Sequence, residues 1–311
     1  MIDTAENYDI VAEEHWTTKK VDESEIRLFV YRKKLRTTEP PKGTILFVHG
    51  SSMASTPTFD LQVDNRPFSS VMDWFSTKGF DTWCVDMEGY GRSDKDRDIT
   101  FDIANGADDL AATSDYISKA CGADKFLLYG ISSGALRAAK FAEQYPERVA
   151  RLALDAFVWT GEGSPTLAER KKKLPQFLEQ KRRPIDLEFV RSIFSRDHPD
   201  TADAAVVEAF ADAICALDDS IPNGTYIDMC SRLPIIDPAK LTAPTIIMRG
   251  EHDGIAGMQD LIDFYQALGT QDRQFAVMPG ISHASFQQKN YLMVYDILYA
   301  FYTRQDPVYT G

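Results

Sequence analysis

The fold is decided by one stretch near the middle of the chain, KFLLYGISSGALRAAKFAEQ, residues 125–144. Its first five residues are almost all apolar, which is typical of a short strand buried in a parallel sheet. Residues 135–144 repeat apolar positions at helical spacing, so a helix is predicted there. Between the two lies GISSG, residues 130–134, a G-x-S-x-G motif. Its glycines permit a sharp strand-to-helix turn that lifts the Ser132 hydroxyl out of the sheet, although a glycine-rich turn without chemistry is the alternative.

Strands and helices alternate on both sides of this stretch. Strands are predicted near residues 26–31, 44–48, 81–85, 151–154, 244–248 and 274–278, and helices near 69–78, 107–121 and 287–302. This alternation predicts an α/β fold with a mainly parallel central sheet and helices on both faces. Residues 159–239 read as several helices without a good strand, so they are predicted to form an inserted helical cap, or lid. Residues 1–158 and 240–311 are then the core.

Composition and charge exclude several classes of function. The chain has 311 residues and a formal net charge of −13, which argues against the basic face of a nucleic-acid binder. It has no apolar run of the roughly 18 residues that a membrane span needs, and its start lacks a signal peptide, so a cytoplasmic location is expected. The four cysteines form no CxxC pair and no cluster with zinc spacing. Neither a metal nor a cofactor is expected, and the sequence leaves the oligomeric state open.

A serine nucleophile needs an adjacent base, and the chain offers five histidines. Four of them suit the role poorly. His15 is in the acidic N-terminal segment, and His49 precedes the nucleophile. His198 lies in the inserted region, and His252 neighbours the candidate acid. His283 remains, in the loop between the last strand and the last helix. It is the predicted general base.

The acid that would orient this histidine is predicted to be Asp253, within RGEHDG, residues 249–254. A carboxylate there, just after an apolar strand, can fix the tautomer of His283 and stabilise the imidazolium. Glu251 and Asp155 are alternative acids. The candidates lie on loops at the carboxyl ends of strands, where open α/β sheets build their sites.

The order Ser132, Asp253, His283 resembles the nucleophile–acid–histidine order of the α/β-hydrolase superfamily. Two further segments, HGSS at residues 49–52 and DMEGYGRS at 86–93, resemble the HG oxyanion loop and the D-x-x-G-x-G-x-S turn of that family. The resemblance implies an oxyanion hole made by two backbone amides, a supporting role for the first histidine and a structural role for the turn. The amides are those of Ser51 and Ser133.

A serine at the nucleophile position sets this chain apart from three related kinds of enzyme. Haloalkane dehalogenases and epoxide hydrolases resemble it but carry aspartate there, and dienelactone hydrolases carry cysteine. The resemblance therefore implies a serine hydrolase of the carboxylesterase type.

The predicted cap supplies candidate pocket residues and an excess of positive charge. Large apolar side chains that could line a substrate pocket, or simply pack the cap helices together, are Trp159, Phe177, Phe194, Tyr226 and Met229. Residues 160–196 contain nine basic and five acidic side chains. A solvated helix face explains such a count, but an arginine that reaches the pocket and pairs with a substrate carboxylate is the sharper hypothesis.

These observations predict a carboxylic-ester hydrolase that forms an acyl-enzyme on a small to medium ester. Under the arginine hypothesis, this ester bears a carboxylate. The same triad would serve hydrolysis of carbon–carbon bonds, thioesters, lactones or amides. A non-catalytic ligand receptor on a hydrolase scaffold is the alternative from another class of protein.

Overall fold

The structure, a computed structural model, describes residues 5–308. Ten strands are assigned in this range: β1 Ile10–Val21, β2 Ser24–Leu35, β3 Thr44–Val48, β4 Asp81–Val85, β5 Phe126–Ile131, β6 Val149–Asp155, β7 Arg182–Pro184, β8 Ser220–Pro222, β9 Thr245–Gly250 and β10 Arg273–Met278. Eleven α-helices accompany them: α1 Ser55–Phe59, α2 Val71–Thr77, α3 Ile103–Cys121, α4 Ser133–Gln144, α5 Pro165–Lys171, α6 Leu174–Glu179, α7 Leu187–Ser195, α8 Ala204–Cys215, α9 Gly224–Ser231, α10 Met258–Ala267 and α11 Tyr291–Thr303.

Eight strands form one sheet in the order β1-β2-β4-β3-β5-β6-β9-β10. All neighbours from β4 to β10 pair in parallel, and only the β1–β2 hairpin and its contact with β4 are antiparallel. The prediction of an α/β fold with a mainly parallel sheet is therefore confirmed.

Both faces of the sheet are covered, as the apolar run of β3 shows. Leu46 and Val48 belong to one core cluster, which also contains Leu136 of α4. Ile45 and Phe47 point to the other face and join a second cluster with residues of α2 and α11. Successive side chains of a strand point to opposite faces of the sheet. Since both faces are covered, these four β3 side chains are all fully buried.

The parallel arrangement positions the candidate site. Since β3, β5, β6, β9 and β10 run in the same direction, their carboxyl ends meet at one edge of the sheet. The segments that leave this edge carry Ser51, Ser132, Asp253 and His283, and Asp155 is the last residue of β6 there. Five positions that are far apart in the sequence are thus assembled by topology alone.

The sequence missed one strand, and one expectation drawn from it was wrong. The first strand is β1, which was not predicted, because its alternating charged residues carry little apolar signal. The region between β6 and β9 is not purely helical either. β7 and β8 pair antiparallel there, with Arg183 opposite Ile221. Strands of three residues are too short to leave a pattern in the sequence.

The segment between β6 and β9 otherwise consists of five helices, α5 to α9. We call this segment, residues 159–239, the cap. Among residues 5–308, no helix combines the length and the hydropathy that a membrane crossing requires.

Candidate active site

Ser132 occupies the turn between β5 and α4 in a backbone conformation that side chains rarely adopt. Its φ is 58° and its ψ is −125°. The Ser132 amide donates a hydrogen bond to the carbonyl of Asp155, at 2.9 Å, which ties the turn to the end of β6. The residue is 5% exposed. Such strain persists only where the surrounding structure holds it, and it often accompanies function.

The glycines of the motif are required by close backbone approach. A Cβ atom at Gly134 would lie 2.2 Å from the carbonyl oxygen of Val48, and one at Gly130 would lie 2.4 Å from that of Gly134. Both distances are far below van der Waals contact. The start of α4 therefore packs directly against the end of β3, without a side chain between them.

The same packing brings the loop after β3 beside the turn. A Cβ atom at Gly50 would lie 3.3 Å from the Cβ of Ser132. The next residue, Ser51, and the first residue of α4, Ser133, both have amides that donate no hydrogen bond to another described residue. The Ser133 amide is at the start of α4, where the helix favours negative charge, and the Ser51 amide lies in the turn after β3. Both free donors suit a developing oxyanion.

His49 supports this loop through both of its ring nitrogens. Its Nε2 accepts a hydrogen bond from the Met87 amide at 3.0 Å, and its Nδ1 lies 2.7 Å from the Gly50 carbonyl oxygen. Burial, together with the charge of Arg137, lowers the pKa of His49 to about 3. The ring is thus neutral, with Nδ1 as the donor, and its two hydrogen bonds hold the loop in place.

His283 and Asp253 form the centre of the site. The Nδ1 atom of His283 lies 3.1 Å from each carboxylate oxygen of Asp253. The carboxylate also accepts from the Ile255 amide at 2.8 Å. Burial alone would raise the pKa of Asp253, but His283 and this amide hold it below its usual value. Asp253 is therefore an ionised orienting partner for the histidine.

The alternative acids have other partners. Asp155 accepts a hydrogen bond from the Tyr129 hydroxyl at 2.6 Å, and burial raises its pKa to about 7. Glu251 accepts from the Gly280 amide at 2.8 Å. Neither carboxylate makes a hydrogen bond or an ion pair with the His283 ring among residues 5–308. No hydrogen bond joins the Ser132 hydroxyl to that ring either, so the nucleophile–base contact stays a prediction. Such contacts are often long before substrate binds.

A second carboxylate approaches His283 from the cap, and the sequence did not single it out. One ligand atom each from Asp197, Asp253 and His283 lie within 4.8 Å of one another. Arg196 binds Asp197 through two hydrogen bonds of 2.9 and 2.8 Å, and Thr166 donates a third at 2.9 Å. Burial would raise the pKa of Asp197, but Arg196 lowers it to about 2.

These three groups have the donor types of a metal site. In this structure, however, Arg196 and Thr166 occupy the oxygens of Asp197, and His283 occupies those of Asp253. The cluster is therefore satisfied by hydrogen bonds and an ion pair.

A cavity of about 680 Å³ opens beside this cluster, between cap helices. Thr166, Asp197 and Gly254 line it on the side of the predicted acid Asp253, and the predicted pocket residues Phe177 and Tyr226 line it as well. Three other predicted pocket residues do not line this cavity, because they pack elsewhere. Phe194 contacts Phe210, Trp159 contacts Phe264, and Met229 is buried in the main core cluster.

The sequence matches the family model described as serine aminopeptidase, S33, over residues 39–290. No curated protein matches it. Solved structures with the same fold include a thermophilic esterase from Thermogutta terrifontis with bound malate, which is 21% identical in sequence and has a TM-score of 0.65. The alignment covers 94% of this chain and 100% of the esterase.

Two further similar structures were determined for other kinds of hydrolase. One is E-2-(acetamidomethylene)succinate hydrolase, at 20% identity, 92% and 99% coverage and a TM-score of 0.65. Another is the monoacylglycerol lipase of Paleococcus ferrophilus, at 17% identity, 89% and 98% coverage and a TM-score of 0.64. At these identities the structures establish a shared fold and no shared substrate. Since the family model spans most of the sequence, the chain belongs to the serine aminopeptidase S33 family of α/β hydrolases.

Proposed function

We propose that this protein is a carboxylic-ester hydrolase that works through an acyl-enzyme. The observation that carries the proposal is the buried hydrogen bond between Asp253 and His283, at the sheet edge where the strained Ser132 turn lies. A neutral imidazole oriented by an ionised carboxylate is the arrangement that activates a serine hydroxyl.

In the proposed reaction, the Ser132 Oγ attacks the ester carbonyl carbon while His283 Nε2 takes the hydroxyl proton. The oxyanion accepts hydrogen bonds from the amides of Ser51 and Ser133, each worth about 3 kcal/mol of transition-state stabilisation. The carbon–oxygen bond to the alcohol then breaks, and His283 returns the proton to that oxygen. Water then attacks the acyl carbon while His283 takes one of its protons. The bond between that carbon and the Ser132 Oγ breaks, and His283 gives the proton to the serine oxygen as the acid is released.

The proposed substrate is a small to medium ester that bears a carboxylate on its acyl side. A cavity of about 680 Å³ accommodates such a molecule. Arg183 lines the cavity and its Nη2 lies 3.5 Å from the Ser51 carbonyl oxygen, so a cation stands next to the oxyanion loop. Among the similar structures, the Thermogutta terrifontis esterase holds malate, and another is a hydrolase of a substituted succinate; both compounds are dicarboxylates.

The family model favours a second candidate, hydrolysis of amides at a peptide N-terminus. An aminopeptidase must bind a cationic amino group. The cap cavity opposes this, because Arg170 and Arg183 on its wall have no carboxylate partner among the described residues. Ester hydrolysis is therefore preferred.

The test is hydrolysis of p-nitrophenyl esters from acetate to octanoate by the wild type and by Ser132→Ala, with alanine p-nitroanilide as the amide. We expect the wild type to hydrolyse short esters, and Ser132→Ala to lose the activity while it keeps its thermal unfolding transition. A fluorophosphonate probe should label the wild type alone. Faster cleavage of the anilide than of any ester would favour the peptidase. A folded wild type that neither turns over substrate nor accepts the probe would contradict hydrolase function.

A further inference from the structure

Two of the three arginines on the wall of the cap cavity lack the carboxylate partner that the third one has. Most other arginines and lysines of the cap contact a carboxylate or a backbone carbonyl. The pairs with carboxylates are Arg191 with Glu208, Arg196 with Asp197, Arg232 with Asp102 and Asp228, Lys172 with Glu169 and Lys181 with Asp98. Arg182 donates to the backbone carbonyls of Gly89 and Ser220. Arg170 and Arg183 contact no carboxylate in the part of the chain that the structure describes.

Arg183 is the more deeply buried of the two, at 8% exposure. Its Nη1 donates to the Pro222 carbonyl at 2.7 Å and to the Asn223 side-chain oxygen at 3.0 Å. Its Nη2 donates to the Ser52 hydroxyl at 3.2 Å, and its buried Nε has no partner. All of these partners are uncharged. Burying a cation without a counter-ion costs free energy, and an orphaned donor adds to that cost.

Arg170 lies on α5 and is half-buried. Its guanidinium makes no hydrogen bond or ion pair with another described residue, and it rests on the Tyr226 ring, 3.8 Å from the centroid. Arg183 contacts the same ring, at 3.6 Å. Burial lowers the pKa of Arg170, whereas the two guanidinium groups lower that of Tyr226 to about 7 against the effect of its own burial. The guanidinium groups of both arginines thus contact the same Tyr226 ring.

All three residues line the cavity whose wall also contains Asp197, the neighbour of Asp253 and His283. The other arginine on its wall, Arg196, is neutralised by Asp197. Arg170 and Arg183 therefore leave an unbalanced positive charge inside a cavity next to the oxyanion loop. A guanidinium binds a planar carboxylate through two parallel hydrogen bonds. A bound carboxylate would therefore supply the negative charge that the two arginines lack and an acceptor for their free N–H groups.

We infer that Arg170 and Arg183, held against Tyr226, form the binding site for a free carboxylate of the substrate. This assignment rests on the proposed ester hydrolysis and specifies its substrate class: monoesters of dicarboxylic acids, with the free carboxylate in the cap and the ester carbonyl at Ser132.

The experiment compares two esters of equal acyl length, mono-p-nitrophenyl glutarate and p-nitrophenyl pentanoate. We expect the wild type to prefer the anionic ester by at least about tenfold in kcat/KM, as one charged hydrogen-bonded pair provides. Arg170→Met should remove most of this preference. Because Arg170 makes no hydrogen bond, its replacement spares the fold, whereas Arg183→Met would also release the Pro222 carbonyl. Arg191→Met, at an exposed arginine paired with Glu208, is the matched control and should keep the wild-type ratio.

A binding arm separates this inference from the proposed function. Glutarate should raise the thermal unfolding temperature of Ser132→Ala, and the double variant Ser132→Ala/Arg170→Met should lose that shift. If the wild type cleaves neither ester but this shift is observed, the esterase proposal fails and the anion site stands. If the neutral ester is cleaved equally well, or the preference survives Arg170→Met, the inference is overturned. A larger shift with inorganic phosphate than with glutarate would overturn the assignment to a carboxylate.

Discussion

The Nδ1 atom of His283 lies at the same distance, 3.1 Å, from both carboxylate oxygens of Asp253. One of these oxygens also accepts from the Ile255 amide, so the carboxylate cannot turn away without losing a second bond. This pairing ties the loop after β9 to the loop after β10. It fixes the histidine in the tautomer whose other nitrogen is free to take a proton.

Asp253→Asn is expected to lower kcat by on the order of 10³- to 10⁴-fold with little loss of stability. The amide keeps an acceptor for the Ile255 amide, but its NH₂ group can hold His283 in the wrong tautomer. Steady-state hydrolysis of the best p-nitrophenyl ester measures the effect. Glu251→Gln, two residues away, is the control and should retain most of the activity. Equal losses in both variants would show that Asp253 is not the specific partner of His283.

Asp197→Asn should have a smaller effect, roughly tenfold in kcat/KM, because Asp197 lies near His283 but makes no hydrogen bond to it. The substitution removes a negative charge close to the imidazolium that forms during attack. Steady-state kinetics over pH 5 to 8 provide the measurement. A loss as large as that in Asp253→Asn would mean that the carboxylate of the cap, and not the one after β9, orients the histidine.

Ser132→Gly should be more stable than Ser132→Ala by about 1 to 2 kcal/mol, although both lack the nucleophile. Glycine adopts a φ of 58° without steric cost, whereas alanine keeps the Cβ that strains this turn. Urea unfolding of the two variants, compared at equal m-values, measures the difference. Equal stability would indicate that the turn stores no strain.

Asp155→Asn should change the pH dependence of stability. The carboxyl has a pKa of about 7 in the folded protein, raised first by burial, against a reference value of 3.8. Between these values the folded state holds a proton that the unfolded state releases, so the contribution of Asp155 to stability falls as pH rises from about 4 to 7. The slope is at most about 1.4 kcal/mol per pH unit. Asparagine cannot ionise and removes this slope.

Urea unfolding at pH 5, 6, 7 and 8 tests the prediction. The difference in unfolding free energy, wild type minus Asp155→Asn, should decrease with pH and become constant above about pH 7. The exposed Asp212→Asn is the control and should show no such trend. A difference that is constant over the whole range would contradict a raised pKa at Asp155.

The parts of the site that could be predicted from the sequence are those whose positions the backbone fixes. The turn around Ser132 was predictable because an apolar strand, two glycines and a helix occur in immediate succession. The partnership of Asp253 with His283 followed from their places after strands of a parallel sheet. Asp197 was not predictable, because it belongs to the cap, and no periodicity relates cap residues to the sheet.

The strand β1 illustrates what the sequence does not reveal. Lys19 is buried there and pairs with Glu88 and Asp109, at 2.8 and 2.6 Å. A lysine in an alternating segment predicts an exposed position, and only the tertiary structure supplies the two carboxylates that permit its burial. The same limit applies to Arg170 and Arg183, whose charge was visible in the sequence but whose shared contact with Tyr226 was not.

The bare contact at Gly134 has a consequence for protein engineering. Two main chains touch there, so the spacing between the loop after β3 and the start of α4 does not depend on any rotamer. Libraries that randomise the walls of the cap cavity can therefore explore new ligands without disturbing this spacing. A library that includes position 134 would lose most of its members to misfolding before any selection for activity begins.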